Sequence, residues 1–255
     1  MTLTIAGEPL IAYLLASVRI AAWMLLVPPF SSRAVPTAAK AVLSLGLALA
    51  TVPLAVGTTV PQQTAPLILA VVTQVLVGAA MGFVTYLIFA AVSAAGAMID
   101  VFGGFALAQG FDPLSMNPNT VFGKFQQLLA TTLLFATGAH LLVIGGLLST
   151  FDLMPVGASA DLSGLPEILV RAFGVFFTTA VQIALPLIAV LFVADLALAL
   201  LTKVAPQLNA LNVMFPAKIG LTLLIIGLAF PALPGIVERL AGLVNEAVAT
   251  LAGGG

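Results

Sequence analysis

The chain has 255 residues, with eight Lys and Arg against nine Asp and Glu, and its net charge is −1. Only 7% of it is charged and 62% is hydrophobic, where a soluble domain carries about 25% charged residues. That balance excludes an ordinary soluble enzyme, a nucleic-acid-binding module and a disordered regulator, and leaves an all-α integral membrane protein.

Met1 to Gly7 hold no basic residue ahead of the first apolar run. A secretory signal needs a positive segment there, so this run is expected to remain as a mature helix. Six hydrophobic helices follow from the apolar runs and their breakers, given that a bilayer core about 30 Å thick needs about 20 helical residues. The first is expected at 10–27, stopped by Pro28 and Pro29. The second is expected at 38–56. A turn at Gly57, Pro61, Gln62, Gln63 and Pro66 separates it from a third at 67–99, which is long enough to overshoot one crossing. The fourth is expected at 121–150, the fifth at 167–201 and the sixth at 219–237, near whose end lie Pro231 and Pro234. The tail, 238–255, reads as an amphipathic turn or two that frays at its glycines.

Two connections are too rich to be plain turns. Segment 100–120 combines Gly103, Gly104, Gly110, Pro113 and Pro118 with Phe102, Phe105 and Phe111. Glycine and proline break helices while phenylalanine seeks burial. Irregular backbone at membrane depth is tolerated only when buried in protein or lining a cavity. Segment 202–218 is polar and bounded by prolines. Arg33, Lys40, Lys124, Lys203 and Lys218 all fall on one side of a six-span alternation. The positive-inside rule makes that side cytoplasmic and puts both termini outside.

Few residues carry chemistry. Arg19 lies inside the first helix, and either pairs with an acid in an assembly or snorkels to an interface. Asp195, in the fifth helix, either relays protons, pairs with Lys203 or Lys218, or reaches cytoplasmic water. His140 reads as a packing histidine. Gln74, Gln126, Gln127 and Gln182 can bond between helices, and Gly78, Ala79, Gly82, Gly145 and Gly146 allow close helix approach. The absence of cysteine removes disulfides and thiolate sites, and one histidine leaves no His-rich metal site. No G-x-S-x-G, H-E-x-x-H or P-loop is present, and Asp100 and Asp112 flank a glycine-rich loop instead of facing each other from two helices. The expectation is a protein that is not an enzyme and has no cofactor or metal.

Three motifs, in order, resemble the FliR family of flagellar export-gate proteins, whose virulence type III counterpart is SctT. The first is Arg19-Ile20 with Pro28-Pro29-Phe30, Arg33, Val35-Pro36 and Lys40. The second is Ala95-Gly96, Ile99-Asp100, Gly103 and Phe111-Asp112-Pro113. The third is Ala205-Pro206-Gln207-Leu208-Asn209 with Phe215-Pro216 and Lys218. The resemblance spans nearly the whole chain. It implies a single membrane export-gate domain, FliP-like over 1–166 with a central plug loop at 100–120, and FliQ-like over 167–255 as a hairpin and short tail. The implied setting is the bacterial inner membrane at the flagellar basal body. The implied partners are FliP, FliQ and FlhB-type gate proteins, unfolded export substrates and membrane lipid, with no nucleic acid.

Within that picture Gly103, Gly104, Phe105, Gly110 and Phe111 form the plug or pore constriction; the alternative is that the phenylalanines anchor a re-entrant turn. Lys203, Pro206, Gln207, Asn209, Asn212, Pro216 and Lys218 form a partner-docking loop. Arg19 and Asp195 are intramembrane charges. The rival functions are an SctT-type virulence gate, favoured less by the wording of residues 209–218, and a small-solute secondary transporter. A transporter would show matched halves with midplane polar groups, and no such symmetry is visible.

Overall fold

The computed structural model describes residues 7–55, 60–105, 120–157, 164–204 and 210–253, with 54–55 and 210–215 described by backbone alone. Among the described residues there are eight α-helices and no strand: α1 (Gly7–Leu26), α2 (Thr37–Leu49), α3 (Thr64–Phe102), α4 (Val121–Ala136), α5 (Ala139–Leu153), α6 (Leu165–Val204), α7 (Ala210–Ala229) and α8 (Leu233–Leu251). Short 3-10 turns lie at Val52–Ala55 and Phe230–Ala232. The punctuation is largely proline and glycine. α1 ends just ahead of Pro28, since a proline steers the residue before it away from helical backbone. α4 and α5 are separated by Gly138, whose φ of 75° only glycine adopts without strain.

The all-α membrane class holds, with the helices cut differently from the six-run reading. Among the described residues four stretches are long and apolar enough to cross a bilayer: Gly7–Leu26, Thr64–Phe102, Leu165–Val204 and Pro216–Leu251. A fifth is counted if α4 and α5 act together. α2, with 13 residues, rises only about 20 Å, so the expected second span is too short as a helix. The expected fourth span is split at Gly138. The sixth begins earlier than expected, at Ala210, and its run continues past Pro231. The tail is a full helix rather than a frayed turn, because Leu240, Ala241, Val244, Val248 and Leu251 repeat at helical spacing and are buried. α3 and α6, at 39 and 40 residues, are each about 60 Å long, roughly twice a bilayer core.

The helices form two compact units. One comprises Met1–Ile88, Gly138–Phe173 and Arg239–Gly255; the other comprises Phe89–Thr137 and Gly174–Glu238. Each is built with small residues inward and large apolar ones outward. α2 buries Ser44 and Ala48 and exposes Val42, Leu43, Leu45 and Leu49. α6 buries Ala172, Ala180 and Ala184, and exposes Phe177, Leu185, Phe192, Val193 and Leu200. Lipid tails are as apolar as leucine, so helices associate through close backbone packing, not by hiding large side chains from water.

In the first unit that packing is a backbone contact between α1 and α3. A Cβ on Gly78 would collide with the Arg19 carbonyl oxygen, and one on Gly82 would lie 2.9 Å from that of Trp23. Gly146 of α5 is similarly close to the side chain of Asn245 on α8, whereas Gly145 faces open space. Gly78→Leu should therefore push α1 off α3 and lower the amount of folded protein in membranes severalfold. Gly46→Leu, at a position with nothing within 4 Å, should leave it unchanged. Equal yields of the two variants, measured by immunoblot after detergent extraction, would refute the contact.

Candidate functional site

The segment expected to plug a channel starts where α3 ends. Asp100, fully buried near that end, accepts hydrogen bonds from the backbone N–H of Phe122 at 2.9 and 3.1 Å and of Gly123 at 3.2 Å. These are the second and third residues of α4, whose amides have no carbonyl partner within their own helix. An N-cap side chain normally takes them. Thr120, at the cap position, does not; its hydroxyl instead bonds to Asp100. The cap of α4 is thus supplied from α3, and the carboxylate charge also lies at the positive end of the α4 dipole.

Close approach makes this geometry possible. A Cβ on Gly96 would sit 2.6–2.7 Å from backbone atoms of Phe122 and Gly123. Past Asp100, the Gly103 N–H donates to the Ile99 carbonyl at 2.7 Å, and a Cβ on Gly103 would meet Thr222 of α7 at 3.1 Å. Gly104 then takes a φ of 84° and turns the chain. Phe105 follows and packs edge-on against Phe122, with ring centroids 4.8 Å apart and planes at 89°. It joins the buried cluster of Ala95, Ile99, Phe122, Ala184, Leu187 and Ile226. The structure thus brings Gly103, Gly104 and Phe105 together at the base of the segment. Gly110, Phe111 and Asp112 lie outside the described residues.

The second expected site is described in part. Lys203 stands in the last turn of α6 and is exposed. Pro216 and Lys218 are within α7 rather than in a loop. Asn212 is in the first turn of α7, and Pro206, Gln207 and Asn209 lie outside the described residues. Asp195 of α6 pairs with Lys218, whose Nζ is 2.8 Å from both carboxylate oxygens. Only Oδ2 meets it in hydrogen-bonding geometry, and Oδ1 accepts none. Of the two pairings open to Asp195, the structure makes this one, across the α6–α7 connection.

Arg19 does not snorkel, and among the described residues of this chain it meets no acid. It is fully buried, and its Nε donates to Gln74 Oε1 on α3 at 2.6 Å. Gln74 Nε2 in turn donates to the Val156 carbonyl at 3.0 Å. The guanidinium lies over the Phe151 ring, 4.4 Å from its centroid, a cation–π arrangement that gains from desolvation. Among the described residues, both Nη atoms, and Trp23 Nε1 one turn further along, have no hydrogen-bond partner. Among the four glutamines noted in the sequence, Gln74 makes this interhelical bond; Gln127 and Gln182 are exposed. Among the described residues no three His, Asp or Glu side chains gather where a metal ion could be held.

Sequence reasoning noticed Asp100 as one half of an aspartyl pair and as part of the second family motif, and missed it as a cap. The available signal was its place at the end of an apolar run, ahead of a segment whose next helix begins with Thr-Val-Phe-Gly and has no acidic residue in its first turn. Asp100→Ala leaves two buried amides without an acceptor, at a cost of about 1–3 kcal/mol. Asp100→Asn keeps one carbonyl oxygen and should lose about half as much. Thermal unfolding of the detergent-extracted protein with its membrane partners would measure both. A stable Asp100→Ala protein with export abolished would point to chemistry at Asp100 instead of capping.

Comparison with known proteins fits this description. The family model for "Bacterial export proteins, family 1" matches residues 10–243, and the chain belongs to that family. It is 32% identical to the flagellar biosynthetic protein FliR of Pectobacterium carotovorum over 92% of this chain and 90% of the relative. It is 31% identical to FliR of Escherichia coli K12, over 87% and 85% of the two chains. Yop proteins translocation protein T of Yersinia pestis is 26% identical over 63% of this chain and 62% of its own.

Proposed function

We propose, with that family membership as the premise, that the chain is the FliR-type component of a flagellar type III export gate. It helps to form and to seal the inner-membrane channel through which unfolded flagellar subunits pass. The observation that carries the reading is the family match from residue 10 to residue 243. Identity to the Pectobacterium and Escherichia FliR proteins is also higher and more extensive than identity to the Yersinia translocation protein, which favours the flagellar system. The partners are FliP, FliQ and FlhB-type proteins, and the role is that of a channel component, not of an enzyme. Residues 1–166 are its FliP-like part and 167–255 its FliQ-like hairpin and tail. The abundance of exposed large apolar side chains on α3, α6 and α7 supports a protein whose surface is covered by lipid and by neighbouring subunits.

A gate must pass an extended chain and yet hold back ions. An apolar, deformable constriction does this by excluding water until a substrate displaces it. In this reading the segment after Gly103 is the seal, with Gly103, Gly104, Phe105, Gly110 and Phe111 as its parts. Asp100 and the Phe105–Phe122 contact hold the base of the seal while the rest yields. Deleting 104–110 in cells that make the whole gate should let small ions leak across the inner membrane and slow growth, while export persists. Removing one large side chain from such a constriction forfeits about 2–3 kcal/mol of burial. If the segment only anchors the fold, the same deletion gives a tight membrane and loss of assembled complex. Membrane conductance and complex yield on one mutant separate these outcomes.

The partner-docking surface is read as Lys203, Pro206, Gln207, Asn209, Asn212, Pro216 and Lys218 at the α6–α7 connection, on the cytoplasmic side. The pairing of Lys218 with Asp195 ties the two helices together beside it. Gln207→Ala combined with Asn209→Ala should weaken crosslinking to the FlhB-type protein and spare crosslinking to the FliP-type one. Unchanged crosslinking to both would reduce the connection to a turn.

A further inference from the structure

The second unit contains a cavity of about 320 Å³ between α4, α6, the end of α7 and the start of α8. Its volume is at the lower end of roughly 300–1,000 Å³, the range of small-molecule sites. Its wall is mostly apolar, with Ile183, Leu187, Ile226, Phe230 and Leu233 among the lining residues. Two amides interrupt it, Gln126 from α4 and Gln182 from α6. Gln126 is 95% buried, being 5% exposed, and among the described residues its Oε1 accepts no hydrogen bond.

The proline at position 186 adds to this. Pro186 lines the cavity within α6 and has no N–H to return to the carbonyl of Gln182, four residues earlier. The Gln182 carbonyl therefore receives no helical bond from position 186, which adds an acceptor to the unpartnered Gln126 Oε1, beside the amide N–H donors of Gln126 and Gln182 in the lining. Water would answer the acceptors, but an ordered water needs two to four polar partners, about all this cavity has, and would leave the apolar wall unfilled. A lipid tail would fill the wall and leave the amide unanswered. A guest that satisfies both has an apolar body and one hydrogen-bond donor. Phe230 is already half of a ring pair, with Phe125 at 5.9 Å and 42°, so its ring offers an aromatic surface of the kind that prefers another ring at an offset or tilted angle.

We propose that this cavity binds a small free aromatic molecule bearing a hydroxyl or ring N–H, of the phenol or indole class. The donor of the guest meets Gln126 Oε1, and its ring packs among Ile183, Leu187 and Phe230. Binding there would brace α4, α6 and the α7–α8 turn in one arrangement.

The test uses the full chain within its membrane complex, extracted in mild detergent, with 4-fluorophenol and 4-fluorotoluene as fluorine NMR probes. The first should show saturable line broadening that indole displaces. The second, similar in shape but lacking a donor, should bind about tenfold more weakly, as expected for one hydrogen bond to a buried acceptor. Gln126→Leu should weaken 4-fluorophenol about tenfold and leave 4-fluorotoluene unchanged, while Ala229→Trp, which fills the cavity, should remove the binding of both. Equal affinity for the two probes in the unmodified chain, or binding that survives Ala229→Trp, would overturn the proposal. So would the absence of saturable binding to the assembled complex, which is the result expected if a neighbouring subunit's side chain occupies the cavity.

Discussion

The carboxylate of Asp100 governs the geometry of the second unit. It takes the two amides at the start of α4 and so fixes the end of one helix to the beginning of the next. The segment between them is thereby closed at its base. Three features depend on that closure: the backbone contact at Gly96, the left-handed turn at Gly104 and the edge-on seat of Phe105 on Phe122. In water such a cap competes with solvent and contributes about 1 kcal/mol. In an interior without water the alternative is two bare N–H groups, which makes the same contact a condition for burying the helix start.

Scarcity of charge gives each ionised group a distinct solution. Asp100 is answered by backbone amides and Asp195 by Lys218. Arg19 is answered by a relay, in which Gln74 accepts from its Nε and passes a donor on to the Val156 carbonyl, and by the face of Phe151. A buried cation without an acid is costly, and the aromatic face offsets only part of that cost. The fold tolerates it where α1 and α3 are in backbone contact through Gly78 and Gly82, so that Arg19 sits at a tight seam of the first unit.

These contacts bear on a gate in a direct way. A seal must be held firmly at its base and loosely beyond it, because a uniformly rigid plug could not be displaced and a uniformly loose one would leak. In the plug reading proposed above, the cap and ring pair at Asp100 and Phe105 are its fixed part. The outward-facing large apolar residues of α6, such as Phe177, Phe192 and Leu200, supply a surface suited to lipid and to neighbouring helices, where small inward residues let the helices of each unit approach closely.

By itself the sequence determined the class, the family resemblance and the sites of interruption. Its long uncharged runs permit only membrane helices, and Pro28 and Pro231, which have no N–H to donate, mark places where helical hydrogen bonding is interrupted. It left Asp195 with a proton relay, a pairing with Lys203 or Lys218, or cytoplasmic water, because local sequence does not fix which side chains meet. The tertiary structure decided what depends on residues far apart in the chain. Arg19 and Gln74 are 55 positions apart and Asp100 and Phe122 are 22, and no local periodicity records that they meet. Helix length was decided there too. Apolar composition shows that 38–56 and 121–150 avoid water, but whether each is one helix depends on backbone angles at Ala50–Thr51 and at Gly138, which packing sets.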